Sequence, residues 1–341
     1  MKKRFLFGFL FILLVSCTKT IDFDDEQHSN QVVVNGIIWP GEAFTVYLTQ
    51  SGSILKDWQT NTPLEGTLDL YEEDRLIHPF PSQRGVFSAP DLSPKAGKSY
   101  RIVVTVDGRA VSAETRIPAQ AEVISTDTTS LRNTDGSRTI HYQFKLKDGD
   151  GEDYYRIIVR NENLVQVSDV GDPARKYYLN ETYYQIQSED PVFKTVYNNS
   201  EGAVLNQGPG NDYFIFPDTY FQGKEYTLEF QVSTYYIGSN EYGDPGNPVA
   251  GTQKKLIYDR NVVHVQRLSK ELYHYLKYLK LYNHFHDNPF AEPVSVYSNV
   301  TNGAGIFAGF NDDTRFTYES VSIPYSMDTI QVEENPSYGN Q

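Results

Sequence analysis

Apolar and polar residues alternate with a period of two along the first third of the chain, as expected for half-buried strands. The predicted strands are residues 31–38, 43–49, 67–71, 99–106 and 110–117. Asp107 and Gly108 separate the last two strands and predict a two-residue hairpin turn. Short strands with turn signals at about ten-residue intervals are typical of an immunoglobulin-like sandwich, which we assign to residues 31–118.

The same alternation continues beyond Pro118, where a strand ladder is expected to end. Further strands are predicted at 139–146, 154–160, 226–236, 256–266 and 315–323. The chain is therefore predicted to be mainly β, with the N-terminal immunoglobulin-like β-sandwich followed by a larger β-sandwich-like domain at 122–333 and a tail at 334–341. Whether residues 122–333 form one domain or a sandwich with an appended helical cap stays open at this point.

One segment of the second part has the helical period instead. Ser269 is a good N-cap, and Glu271 sits favourably in the first helical turn. Apolar residues follow at steps of three and four, namely Leu272, Tyr275, Leu276, Leu279 and Tyr282. This pattern predicts one α-helix at about 269–285 that packs its apolar stripe against a sheet.

The N-terminus has the pattern of an export signal. Lys2, Lys3 and Arg4 precede an apolar run at 5–15, which is too short to span a hydrocarbon core of about 30 Å. The run ends before Cys17, the only cysteine in the chain, in a sequence that looks like a bacterial lipobox. The alternative interpretation is an ordinary buried thiol.

We therefore predict a lipoprotein signal peptide at 1–16, lipidation of Cys17 and a flexible, acidic tether at 17–30. Acyl chains such as palmitate on Cys17 would hold the protein to a lipid bilayer. No cysteine would then remain for a disulfide, a zinc site or a thiol nucleophile. The formal net charge of −14 argues against nucleic acid as a partner.

The sequence contains none of the common catalytic motifs, such as a Gly-x-Ser-x-Gly elbow, His-Glu-x-x-His, a phosphate loop or a dinucleotide fingerprint. The acidic run at 148–153 fails as an EF-hand loop, because Asp153 stands where Gly is needed and Val159 where Glu is needed. A plain acidic turn is the favoured interpretation. We predict no catalytic residues, no metal and no cofactor, and we expect that the protein is not an enzyme.

His284 and His286, with His274 ten residues earlier, form the one histidine-rich cluster in the sequence. Histidines at i and i+2 do not share a helical face, so surface or partly buried histidines are favoured over a metal site.

Tyrosine is concentrated between residues 171 and 245, which hold eleven of the 26 tyrosines. Tyrosine offers flat apolar area with a polar tip, which suits stacking on sugars or contacts with proteins. It is also a good strand former, which is the alternative explanation. The predicted ligand or partner contacts are Tyr177, Tyr178, Tyr183, Tyr184, Tyr213, Tyr220, Tyr235, Tyr236 and Tyr242.

Several segments resemble a lipoprotein family of Bacteroidota, the one catalogued as domain of unknown function 4249. They are Leu-Ser-Lys-Glu-Leu-Tyr at 268–273, Asn-Pro-Phe-Ala-Glu-Pro at 288–293, Asn-Gly-Ala-Gly-Ile-Phe at 302–307, the Val-rich strand at 32–36, Gly-Lys-Ser-Tyr at 97–100, and the paired tyrosines at 154–155. The resemblance covers nearly the whole mature chain. It implies an outer-membrane lipoprotein, often encoded beside a SusC-like TonB-dependent receptor, and it supplies no established activity or catalytic residue.

The Gly-rich run at 302–307 also has a physical interpretation. Gly303 and Gly305 allow positive φ or a close backbone approach, and Ile306 or Phe307 is expected to fill the core. The run therefore predicts a tight turn into a strand.

These observations lead to one expected function and two alternatives. We expect an accessory or ligand-binding subunit of a TonB-dependent nutrient uptake system, anchored in the outer membrane and facing the cell exterior. Its partners would be a SusC-like barrel and a glycan or peptide ligand. The alternatives are a free-standing surface adhesin or structural lipoprotein, and a hydrolase with an unrecognised carboxylate pair.

Overall fold

The computed structural model describes most of the chain from Gln31 onward. The described residues are 31–52, 62–169, 176–194, 196–197, 209–235, 252–288, 294–321 and 332–333. The predicted signal peptide, the tether with Cys17 and the predicted tail at 334–341 lie outside them.

Two layers of strands form a first sandwich, as predicted. Its strands are β1 (Val32–Ile38), β2 (Phe44–Gln50), β3 (Thr62–Pro63), β4 (Thr67–Glu72), β5 (Arg75–Pro81), β6 (Val86–Ala89), β7 (Ser99–Val106) and β8 (Arg109–Arg116). One layer is a sheet in the order β5-β4-β7-β8, and the other contains β1, β2, β3 and β6. Val34, Phe44 and Leu48 are fully buried between them. Asp107 and Gly108 both have positive φ, which a type I′ hairpin turn requires, so the predicted hairpin is confirmed.

The remaining strands build a second, larger sandwich. They are β9 (Glu122–Arg132), β10 (Ser137–Lys147), β11 (Tyr154–Asp169), β12 (Lys176–Tyr183), β13 (Ile186–Gln187), β14 (Ile215–Pro217), β15 (Glu225–Tyr235), β16 (Thr252–Leu268), β17 (Ala304–Val321) and β18 (Val332–Glu333). A small sheet in the order β13-β15-β10-β9 faces a large sheet whose described strands run β18-β12-β11-β16-β17-β1-β2-β3. The shared core contains Tyr142, Phe144 and Phe230 from the small sheet, and Ile157 and Val265 from the large one.

Strand β17 takes part in both sandwiches. Its first residues pair in parallel with β1, and from Phe310 onward it pairs antiparallel with β16. Phe307 is fully buried in the first core, and Ile306 is buried in the second. The predicted turn into a strand is confirmed, and both apolar residues fill a core. The domain division at 118–122 stays a prediction, since β17 returns from the second part to complete the first.

The predicted helix is present, and two shorter helices accompany it among the described residues. The three are α1 (Pro191–Lys194), a 3₁₀ helix (Asp218–Tyr220) and α2 (Lys270–Phe285). Helix α2 packs mainly against β17 and buries Leu272, Tyr273, Leu276 and Leu281. The prediction of the apolar stripe was wrong at its C-terminal end, because Tyr282 is 41% exposed and Leu281 is buried in its place.

Ser269 joins α2 to the large sheet. Its Oγ accepts hydrogen bonds from the N–H groups of Leu272 and Gly309, both at 3.2 Å, and its own N–H donates to the Gly309 carbonyl at 2.8 Å. A Ser269→Ala variant leaves two buried N–H groups without this acceptor. We expect the free energy of unfolding to fall by about 1–2 kcal/mol in urea denaturation. Loss of less than about 0.3 kcal/mol would mean that the cap does not hold the helix.

Candidate functional site

The structure divides the predicted tyrosine contacts among several places. Tyr183 at the end of β12 is 65% exposed, and Tyr220 in the 3₁₀ helix is 51% exposed. Tyr184 and Tyr213 pack against the second core, and Tyr177 packs against a small cluster around Leu164. Tyr178 lies beside Tyr177 in β12 and is partly buried. The six tyrosines whose side chains the structure describes therefore do not form one surface.

For the other three predicted tyrosines, the structure describes no side chain. Tyr235 is the last residue of β15, and only its backbone is described. Tyr236 and Tyr242 lie outside the described residues.

Arg156 brings two of the predicted tyrosines together. It lies in β11, on the face opposite to the core residues Tyr155 and Ile157. Its Nε donates a hydrogen bond to the Tyr213 carbonyl at 3.2 Å, and its guanidinium carbon lies 5.9 Å from the centre of the Tyr213 ring. Tyr183 pairs across the ladder with Arg160, on the same face of β11 as Arg156, and is near enough to influence the pKa of the Arg156 guanidinium.

The charge of Arg156 is poorly compensated. Burial lowers the pKa of its guanidinium, because removal from water disfavours the charged form. Tyr213 and Tyr183 are the ionisable groups that act on it, and no carboxylate among the described residues forms an ion pair with it. We call Arg156, Tyr183 and Tyr213 the arginine–tyrosine site.

Other arginines of the large sheet differ from Arg156 in this respect. Arg160 pairs with Glu162 at 2.7 Å and with Glu181 at 2.5 Å, and Arg260 pairs with Glu162 at 2.6 Å. Arg315 pairs with Asp313 at 2.6 Å, and Arg267 binds Asp153 through two nitrogens. The sheet therefore supplies a carboxylate to four of its arginines and leaves Arg156 with tyrosines.

Polar residues continue from Arg156 across the same face. Its cross-strand neighbour in β16 is Gln266, which is 8% exposed and pairs in turn with Asp312 in β17. His264 Nδ1 lies 2.6 Å from Asp312 Oδ2 and 3.3 Å from the Thr314 hydroxyl. A catalytic triad requires the acid and the hydroxyl on opposite ring nitrogens of the histidine. Here both lie at Nδ1, so this cluster lacks the geometry for nucleophilic catalysis.

A cluster of three carboxylates lies at the opposite face of β11. Asp148, Asp153 and Asp218 each offer an oxygen within 4.8 Å of the others, the kind of grouping that can hold a cation. Asp148 accepts hydrogen bonds from the Tyr155 hydroxyl at 2.6 Å and from the Gly223 N–H at 3.0 Å. Since Arg267 already binds Asp153, one positive charge is supplied by the chain itself.

Burial and the neighbouring carboxylates raise the pKa of Asp218 to about 6, with desolvation the larger cause. Asp148 is 6% exposed and Asp218 is 2% exposed. A glycosidase dyad must flank a sugar in an open cleft, which these buried groups do not do. The cluster therefore serves as an internal charge network between the 148–153 turn and the 3₁₀ helix.

A groove of about 590 Å³ runs along the outer face of the small sheet. Gln143, Gln187, Glu229 and Gln231 line it, and Gln143 and Gln187 bond to Glu229 and Gln231 respectively. Asp190 at one end caps α1 by accepting a hydrogen bond from the Val192 N–H at 3.0 Å. Polar and apolar groups contribute about equally to its lining, and no arginine or lysine lines it among the described residues.

Comparison with known proteins places the chain in a family. The model of the family described as Domain of unknown function (DUF4249) matches residues 18–315, so the chain belongs to that family. No curated protein matches the chain. The family description assigns no activity.

Two solved structures show distant similarity. A β-glucuronidase from glycoside hydrolase family 2 is 10% identical with a TM-score of 0.19, over 87% of this chain and 24% of that one. The rhamnogalacturonan lyase YesW is 9% identical with a TM-score of 0.17, over 71% of this chain and 51% of that one. The chain thus spans about a quarter and about half of these enzymes, and similarity this low carries no argument about function.

Within the described residues, no helix is long and apolar enough to cross a bilayer.

Proposed function

We propose that this protein is a lipid-anchored, non-catalytic binding subunit of a TonB-dependent nutrient uptake system in the outer membrane. Cys17, in its lipobox-like context, would carry the acyl chains, and the tether at 17–30 would separate the sandwiches from the bilayer. The family resemblance supports a barrel partner, a SusC-like receptor. The protein would face the cell exterior.

The arginine–tyrosine site is the observation that carries this proposal. A partly enclosed guanidinium without a carboxylate partner costs stability, and the one hydrogen bond that Arg156 donates to the Tyr213 carbonyl leaves its charge uncompensated. Tyr183 and Tyr213 add flat apolar area and two hydroxyl groups beside it. This combination suits binding, and the His264–Asp312–Thr314 cluster beside it lacks catalytic geometry.

Co-purification from the membrane tests the proposed function. The tagged full-length protein is extracted from gently solubilised outer membranes, and the chains that co-purify are identified by mass spectrometry. We expect a TonB-dependent barrel in stoichiometric amount. Recovery of the protein alone, from membranes in which other barrel complexes survive, contradicts the proposal and favours a free-standing surface adhesin.

A pair of tyrosine variants tests whether the exposed Tyr183 makes this contact. Tyr183→Ser removes a 65% exposed ring in the second sandwich, and Tyr47→Ser removes a 54% exposed ring in the first. If the barrel contacts Tyr183, Tyr183→Ser reduces recovery of the barrel and Tyr47→Ser does not. Equal recovery with both variants would show that the barrel does not depend on Tyr183.

A further inference from the structure

Arg156 stands out against the charge balance of the whole protein. The chain has 44 acidic residues and 30 arginines and lysines, so carboxylates outnumber cations. An arginine in such a chain can readily find an acidic neighbour, and Arg160, Arg260, Arg267 and Arg315 of the same sheet do so. Arg156 is more enclosed than a surface arginine and has no such neighbour among the described residues.

The hydrogen bonding of Arg156 leaves one edge of its guanidinium available. Nε is held by the Tyr213 carbonyl at 3.2 Å, which fixes the orientation of the planar group. The two terminal nitrogens form no hydrogen bond with any described residue. These two nitrogens form a fork that matches the two oxygens of a carboxylate.

We propose that the arginine–tyrosine site binds the carboxylate group of a small ligand, with the terminal nitrogens of Arg156 donating to both carboxylate oxygens. Tyr183 and Tyr213 flank the remainder of the ligand. This inference rests on the proposed binding function and names the chemistry of the ligand. An acidic sugar and the C-terminus of a short peptide are two sources of the same group.

The charge count favours a carboxylate over a phosphate. A phosphate monoester carries nearly two negative charges near neutral pH, and the site offers one cation. The surrounding chain is acidic, so a second negative charge would be repelled. One guanidinium and one carboxylate neutralise each other and satisfy the fork with two parallel hydrogen bonds.

Titration calorimetry on the full-length protein in detergent tests the proposal with paired probes. The first pair is trigalacturonic acid and its methyl ester, and the second is the peptide Ala-Ala-Phe and its C-terminal amide. We expect at least one carboxylate to bind, and its neutral partner to bind at least about tenfold more weakly. The pair that responds identifies the source of the carboxylate. Inorganic phosphate is the third probe, and tighter binding of phosphate overturns the proposal.

A matched pair of variants assigns the binding to Arg156. Arg156→Met removes the charge and keeps the length of the side chain, and we expect it to weaken binding of the carboxylate at least about tenfold. Arg101→Met is the control, because Arg101 also lies over a tyrosine, 4.0 Å from the Tyr71 ring centre, but pairs with Asp74 at 3.8 Å. It is expected to bind as the wild type does. Binding that survives Arg156→Met, or no binding of any carboxylate probe, overturns the proposal.

Thermal unfolding without ligand separates a binding role from a structural one. If Arg156 is kept for a ligand, Arg156→Met relieves an uncompensated charge and raises Tm by about 2 °C. A lower Tm would mean that the arginine supports the fold, and it overturns the proposal. The co-purification result is independent of both measurements, since a barrel can be recovered whether or not a carboxylate binds.

Discussion

Gly305→Ala is expected to lower the free energy of unfolding by more than about 4 kcal/mol. Gly305 has φ of +107°, in the region that L side chains rarely adopt. A Cβ at this position would lie 2.1 Å from the Val34 carbonyl oxygen, which is backbone and cannot turn away. The parallel pairing of β1 with β17 would have to open, and with it the contact between the two cores at Phe307 and Ile306.

A second glycine distinguishes the cost of backbone strain from the cost of a steric clash. Gly108, in the β7–β8 hairpin, has φ of +77°, and a Cβ there would meet nothing within 4 Å. Gly108→Ala therefore adds backbone strain alone, about 1–2 kcal/mol. Guanidinium chloride unfolding of the two variants measures the difference. If Gly305→Ala lowers the free energy of unfolding no more than Gly108→Ala does, then the close pairing of β17 with β1 does not hold the two sandwiches together.

Asp218→Asn is expected to remove a large part of the pH dependence of stability between pH 4 and 6. The folded state raises the pKa of Asp218 to about 6 from an ordinary value of 3.8. Between these two values the unfolded chain has already lost the proton that the folded chain keeps, so the free energy of unfolding falls as pH rises. The loss is on the order of 2–3 kcal/mol and is complete above the folded pKa.

Chemical denaturation at pH 4, 5, 6 and 7 measures this effect. The amide side chain in Asp218→Asn would keep an acceptor for the Asp153 N–H, which donates to Asp218 at 3.0 Å, and would carry no charge. Asp150→Asn is the control, since Asp150 lies in the 148–153 turn that Asp218 contacts but is exposed. Parallel pH profiles for the wild type and Asp218→Asn would show that Asp218 is not held protonated by its neighbours.

Local signals in the sequence predicted those elements whose side chains alternate between core and solvent. Strand β7 has this pattern, and its observed bounds equal the predicted ones. The Ser269 cap likewise identified the start of α2. Strand β9 was missed, because all eleven of its side chains are exposed or partly exposed, so that neither face leaves an apolar period.

The candidate sites depend on contacts that no local pattern encodes. Arg156 and Tyr213 meet because the chain passes Arg156 again just before β14, and Tyr183 lies on the same face because β12 pairs with β11. The tyrosine excess indicated two of these residues, and nothing in the sequence indicated the arginine. Asp218 joins Asp148 and Asp153 from 65 residues beyond Asp153. The acidic turn at 148–153 therefore gave no indication in the sequence that Asp218 completes a carboxylate cluster.

Membrane fractionation of a Cys17→Ser variant tests the central claim, a binding protein held at a membrane by its own lipid. After an alkaline carbonate wash, which dissociates bound protein partners such as the proposed barrel, we expect wild-type protein in the membrane pellet and Cys17→Ser in the soluble fraction, because acyl chains provide the anchor. Labelling with radioactive palmitate should mark the wild type alone. Equal amounts of both proteins in the pellet, or an unlabelled wild type, would contradict the account.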